Sequence, residues 1–75
     1  MGDRGTPRLS SDQVISILRR NGFQWVGQSG SHQKWRNRAT AKQVIVAYHR
    51  GRVLPLGTIR AIIEGSGIAL AEWLK

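Results

Sequence analysis

The chain has 75 residues, 12 Lys and Arg against 4 Asp and Glu (formal net charge +8), and no cysteine. One domain of this size buries only about 60% of its unfolded surface, and without cysteine it has neither a disulfide framework nor a thiolate site. No apolar stretch approaches the ~20 residues of a membrane span, and the polar start, Met1 to Leu9, has no apolar run like that of a secretory signal, so a cytoplasmic protein is expected.

Met1 to Leu9, with Gly, Pro and Arg but no periodicity, reads as a flexible arm, and residues 10–75 as a single domain. Ser10 to Asn21 is predicted as a helix. Ser10 and Gln13 have capping-box spacing. Val14, Ile15, Ile17 and Leu18 make its apolar face, while Arg19 and Arg20 stand at the negative end of its dipole, the reading preferred for both. Asn21-Gly22 is a stop signal that lets Phe23 fold back on Leu18.

Gln24 to Gln28 reads as a first strand, with Trp25 and Val26 on opposite faces and Trp25 in the core or at its rim. Ser29-Gly30-Ser31 is a tight hairpin turn. His32 to Arg36 is a second strand of strict alternation: His32, Lys34 and Arg36 share one face, Gln33 and Trp35 the other. After a polar loop, Asn37 to Lys42, comes a third strand, Gln43 to Tyr48, β-branched at Val44, Ile45 and Val46. Arg50 to Leu54 is a loop. Pro55 suits the first turn of a second long helix with Ile59, Ile62 and Ile63 buried and Gly67 capping its end. Leu70, Trp73 and Leu74 fit one more short helix.

The order describes an α+β domain in which a three-stranded antiparallel meander is covered by helices on one face and wet on the other. With Trp35 and Trp73 in the core, His32, Lys34 and Arg36 project onto the open face. Between Asp12 and Glu64 there is no acidic residue, whereas nine cations from Arg19 to Arg60 fall in that span. Such a body repels itself unless an anion is near. Nucleic acid is the usual partner, with counterion release driving affinity.

Several short segments appear in a telling order: Asn21-Gly22-Phe23 after the first helix, Gly30-Ser31-His32 followed by Trp35, and Val44-Ile45-Val46 leading to His49. Leu54-Pro55-Leu56-Gly57-Thr58-Ile59-Arg60 enters the second long helix, and Gly67-Ile68 and Glu72-Trp73 close the chain. From Ser10 to Trp73 this pattern resembles the HicA-type toxins of bacterial and archaeal toxin–antitoxin systems. The resemblance implies a fold like a double-stranded RNA-binding domain and cleavage of messenger RNA that arrests translation. It implies that His32, the His of Gly-Ser-His, is catalytic. It also implies a HicB-type antitoxin that covers the active face, and a monomer when free. The chain departs from the family at Ala47, where a Pro precedes His49, at Ala69, where a small polar cap is usual, and at Gly27 and Ser29, where a basic residue is common.

RNA can be cut without a metal because its 2′-OH is a built-in nucleophile. His32 suits the proton steps. His49 is the candidate second proton carrier, beside the reading that it merely ends the third strand. Lys34 and Arg36 are candidates for gripping phosphate, with Arg50, Arg52 and Arg60 as further candidates. Gly30 and Ser31 shape the turn and allow close approach of a phosphate. No cofactor is expected, and with neither Cys nor carboxylate from Gln13 to Ile63 a metal site is hard to build. Ser29 or Ser31 as a nucleophile would lack the acid of a triad. A non-catalytic RNA-binding module on the same fold is the alternative, and a module that binds an acidic protein is a third class.

Overall fold

The computed structural model describes residues 5–75, so residues 1–4 of the expected arm lie outside the described residues. Helix α1 (Ser11–Arg20) starts where the sequence supplies a cap: Gln13 N–H donates to Ser10 Oγ at 3.2 Å, and Ser10 N–H donates to Gln13 Oε1 at 2.9 Å. This reciprocal pair ties down two N–H groups that the helix itself leaves unpartnered. The helix ends because Gly22 takes φ +90, where a Cβ would also stand 3.2 Å from the Asn37 amide nitrogen.

Strands β1 (Phe23–Ser29), β2 (His32–Asn37) and β3 (Gln43–Ala47) form an antiparallel sheet in the order β1-β2-β3, the expected meander with β2 in the middle. Ser29 pairs with His32, leaving a two-residue turn. Gly30, with φ +56, occupies its first central position, as a type II′ hairpin requires. Between β2 and β3, Asn37 Oδ1 accepts from Ala39 and Thr40 N–H, and Ala41 turns the chain at φ +63.

Helix α2 (Leu56–Ser66) has Pro55 as the residue just before it rather than inside its first turn, and ends at Gly67 with φ +70. The short helix α3 (Leu70–Trp73) starts at Ala69 without a side-chain cap. Only Trp73 of the three expected apolar residues is buried there; Leu70 and Leu74 are exposed.

Helix α1 packs on β1 and β3, and α2 packs on β3. Both bury their stripes against one face of the sheet: Val14, Ile17, Leu18, Ile59 and Ile62 meet Phe23, Trp35, Val44 and Val46, with Trp73 and Leu54 completing the core. Trp35 is 2% exposed, and deleting such a ring costs about 3–5 kcal/mol. Leu9, grouped above with the arm, belongs to the packed body: it is buried, and its carbonyl accepts from Leu54 N–H at 2.9 Å.

The alternation expected for the first strand is not observed. Trp25 pairs with Trp35 and Gly27 with Lys34, so Val26 is an extra residue in the ladder, a β-bulge. Trp25 is 53% exposed and Val26 is exposed too, so Trp25 is not part of the core. An edge strand has a partner on one side only and accommodates the insertion; β2, paired on both sides, has no such freedom.

Candidate active site

Strand β2 sets the site. His32 pairs with Ser29 and Ala47, Lys34 with Gly27 and Ile45, and Arg36 with Gln24 and Gln43. With Trp35 buried, period two places these three side chains on the opposite, exposed face, about 7 Å apart along the strand. Their cross-strand neighbours are small or uncharged. Among the described residues the acids Asp12, Glu64 and Glu72 all belong to the helices, and Lys75 pairs with Glu72 at 2.9 Å.

Gly30 and Ser31 form the hairpin tip beside His32. Tyr48 N–H donates to Ser31 C=O at 2.8 Å, which holds the end of β3 against that tip. His49 follows, two residues beyond Ala47, and is exposed. Its backbone is anchored from the helix layer: its N–H donates to Ser11 Oγ at 3.3 Å, and Ser11 Oγ–H donates back to its C=O at 3.1 Å. Ser11 is 0% exposed. The same C=O accepts from Arg52 N–H at 3.1 Å, and Ser11 N–H donates to Arg52 C=O at 3.3 Å. Val53 then bridges Ser10, so the loop carrying His49, Arg50 and Arg52 is strapped to the start of α1.

The structure thus collects Gly30, Ser31, His32 and His49 at one end of the sheet, aligns Lys34 and Arg36 behind His32, and leaves Arg50 and Arg52 exposed on the adjoining loop. Arg60 is not brought to this face: it lies half-buried on α2, which packs on the other side.

Two features escaped the sequence reading. Ser11 is one, since nothing near it in the chain marks a serine that will grip a backbone 38 residues away. The other is a groove of about 510 Å³ between α1 and the helix-facing side of the sheet, lined among others by Arg19, Arg20, Gln33, Trp35 and Tyr48. There the Arg19 guanidinium lies 5.1 Å over the Trp35 ring. Trp35 Nε1–H donates to Gln33 Oε1 at 3.0 Å, and Tyr48 O–H donates to Asp12 Oδ1 at 2.9 Å. That bond to a carboxylate, aided by some desolvation and by the charge of Asp12, holds the Tyr48 phenol above its ordinary pKa.

Among the described residues no three His, Cys, Asp or Glu gather as metal ligands, and no helix is long and apolar enough to cross a membrane. A family model described as the HicA toxin of bacterial toxin-antitoxin systems matches residues 11–68. No curated protein matches the chain.

Proposed function

From the membership of this chain in the HicA toxin family of bacterial toxin–antitoxin systems, we propose that it is a metal-independent endoribonuclease that cuts messenger RNA and arrests translation, with His32 as a catalytic acid or base. As a toxin of such a system it has an antitoxin partner. The finer reading is that this partner is of HicB type and lies over the open face of the sheet.

One observation carries the proposal: an exposed imidazole on the central strand, in line with Lys34 and Arg36, with no carboxylate on the sheet strands. In the reaction the 2′ oxygen attacks the adjacent phosphorus while a base takes its proton. The bond from phosphorus to the 5′ oxygen breaks, and that oxygen receives a proton from an acid. The products are a 2′,3′-cyclic phosphate and a 5′-hydroxyl. His32 takes one proton role, and His49, at the same end of the sheet, takes the other. Lys34 and Arg36 stabilise the charge that builds on the phosphoryl oxygens. Gly30, lacking a Cβ and with nothing within 4 Å of where one would stand, leaves room for the backbone of the substrate at the hairpin tip.

The test is cleavage of RNA by purified protein in EDTA. Wild type is expected to cut and His32→Ala to be inactive; a His32→Ala protein as active as wild type would overturn the assignment. Salt-sensitive RNA binding without any cutting by folded wild type would instead identify a binding module.

A further inference from the structure

We infer that the groove between α1 and the sheet is a second RNA site, which holds one nucleotide of the same strand whose scissile phosphate lies at His32. The inference rests on the ribonuclease reading and adds a subsite on the other side of the sheet.

Its volume of about 510 Å³ falls in the range of ~300–1,000 Å³ usual for ligand sites. Its position fits, because Gln33 lines the groove and is the neighbour of His32 on β2, pointing to the opposite face. Tyr48, another lining residue, is bonded through its N–H to Ser31 at the hairpin tip. A strand that leaves the open face around that end of the sheet therefore enters the groove.

The chemistry fits a nucleotide better than other anions. Charges at a helix C-terminus need only face solvent to complement the dipole, yet the Arg19 guanidinium sits over the Trp35 ring, 5.1 Å from its centroid. This fixes the guanidinium at little further entropic cost and leaves its N–H edge for phosphate. The indole beneath is buried and Arg19 is exposed, so the guanidinium is the member of the pair that a base can reach and stack on. Arg20 adds a second cation on the same wall. The Gln33 amide is oriented by the bond its Oε1 accepts from Trp35, so its NH2 group is the end available as a donor. Asp12, oriented by Tyr48, supplies a carboxylate acceptor. A fixed donor and a fixed acceptor suit the edge of a base. The same carboxylate disfavours an acidic peptide, whose ionised side chains bring acceptors only.

The experiment uses the full chain and a short RNA with 2′-O-methyl groups, which binds but cannot be cut through its blocked 2′ oxygen. In R19Q/R20Q the affinity is expected to fall about tenfold, and the slope of log K against log salt to decrease by about 0.7 for each phosphate no longer neutralised. The charge-matched control R38Q/K42Q, in the loop between β2 and β3, is expected to bind like wild type. R20Q alone, which leaves the Arg19–Trp35 stack in place, guards against misfolding of the double variant and is expected to show part of the loss. In NMR titrations of wild type the Trp35 indole N–H and the Gln33 NH2 signals are expected to shift together with those of His32 and Lys34. Shifts confined to the His32 face, or equal affinities for R20Q, R19Q/R20Q and wild type, would overturn the groove site and leave the ribonuclease reading standing. Absence of any RNA binding by wild type would remove both.

Discussion

His32 and His49 stand at the same end of the sheet but are held there in different ways. The backbone of His32 belongs to the central strand and is registered on both sides, against Ser29 and Ala47. Its direction follows from the burial of Trp35 three residues on, because a slip of one position would turn that ring into water. His49 lies beyond the last ladder pair, and its backbone depends on a hydroxyl from another layer. One imidazole is placed by the whole core, the other by a local strap in which the buried Ser11 hydroxyl and the Arg52 N–H hold its backbone. A proton carrier of the first kind tolerates local substitution around it, whereas one of the second kind is lost with its anchor.

Removing the two rings in turn is the strongest way to sharpen this contrast. His32→Ala is expected to lower the cleavage rate by about 10²–10⁴-fold, the range for losing a general acid or base. As an exposed strand residue it is expected to change stability by no more than about 0.5 kcal/mol. His49→Ala is expected to fall at the low end, about 10²-fold, and to erase one limb of the pH–rate profile. A His49→Ala profile with both limbs intact would leave His32 with a different partner.

The same contrast explains what could be read from the letters alone. The alternation of β2 was legible because both faces of a central strand are policed, one by the core and the other by water. The capping box at Ser10 and Gln13 and the stop at Asn21-Gly22 were legible because their partners lie within a few residues. In β1 the pattern failed at Val26, where an edge strand admits an extra residue without exposing the core. Ala41, at φ +63, carries none of the Gly or Asn chemistry that marks such a turn. The anchor on His49 and the stack of Arg19 on Trp35 join residues far apart in the chain, so no local signal announces them. The open-face residues were thus found in advance, and the parts that depend on the helix layer were not.

Ser11 tests the second kind of placement directly. Ser11→Ala leaves the His49 N–H without the partner that the hydroxyl supplied, in a part-buried spot, which is expected to cost about 0.5–1.5 kcal/mol in denaturant unfolding. It is also expected to lower cleavage towards the level of His49→Ala. The two effects separate in a double-mutant cycle. In the His49→Ala background, Ser11→Ala should still cost stability but should slow cleavage no further. Additive losses in rate would mean that the serine acts on the site by some route other than His49.

The smallest expected effect concerns the bond beside that anchor, between Tyr48 and Asp12. The phenol donates to the carboxylate, so its neutral form is favoured in the folded state and its pKa is raised. For a group that loses a proton to become charged, a raised folded pKa stabilises the fold at pH values below the unfolded value of ~10. That contribution is lost as the pH climbs through the higher folded value, when a phenolate would face Asp12. Urea unfolding of wild type is therefore expected to show a small decline in stability above about pH 10, and Tyr48→Phe is expected to lack that component while being slightly less stable at neutral pH. An identical alkaline decline in Tyr48→Phe would assign it to other groups. The bond would then be a surface contact that does nothing to keep α1, and with it Ser11, in register with the end of β3.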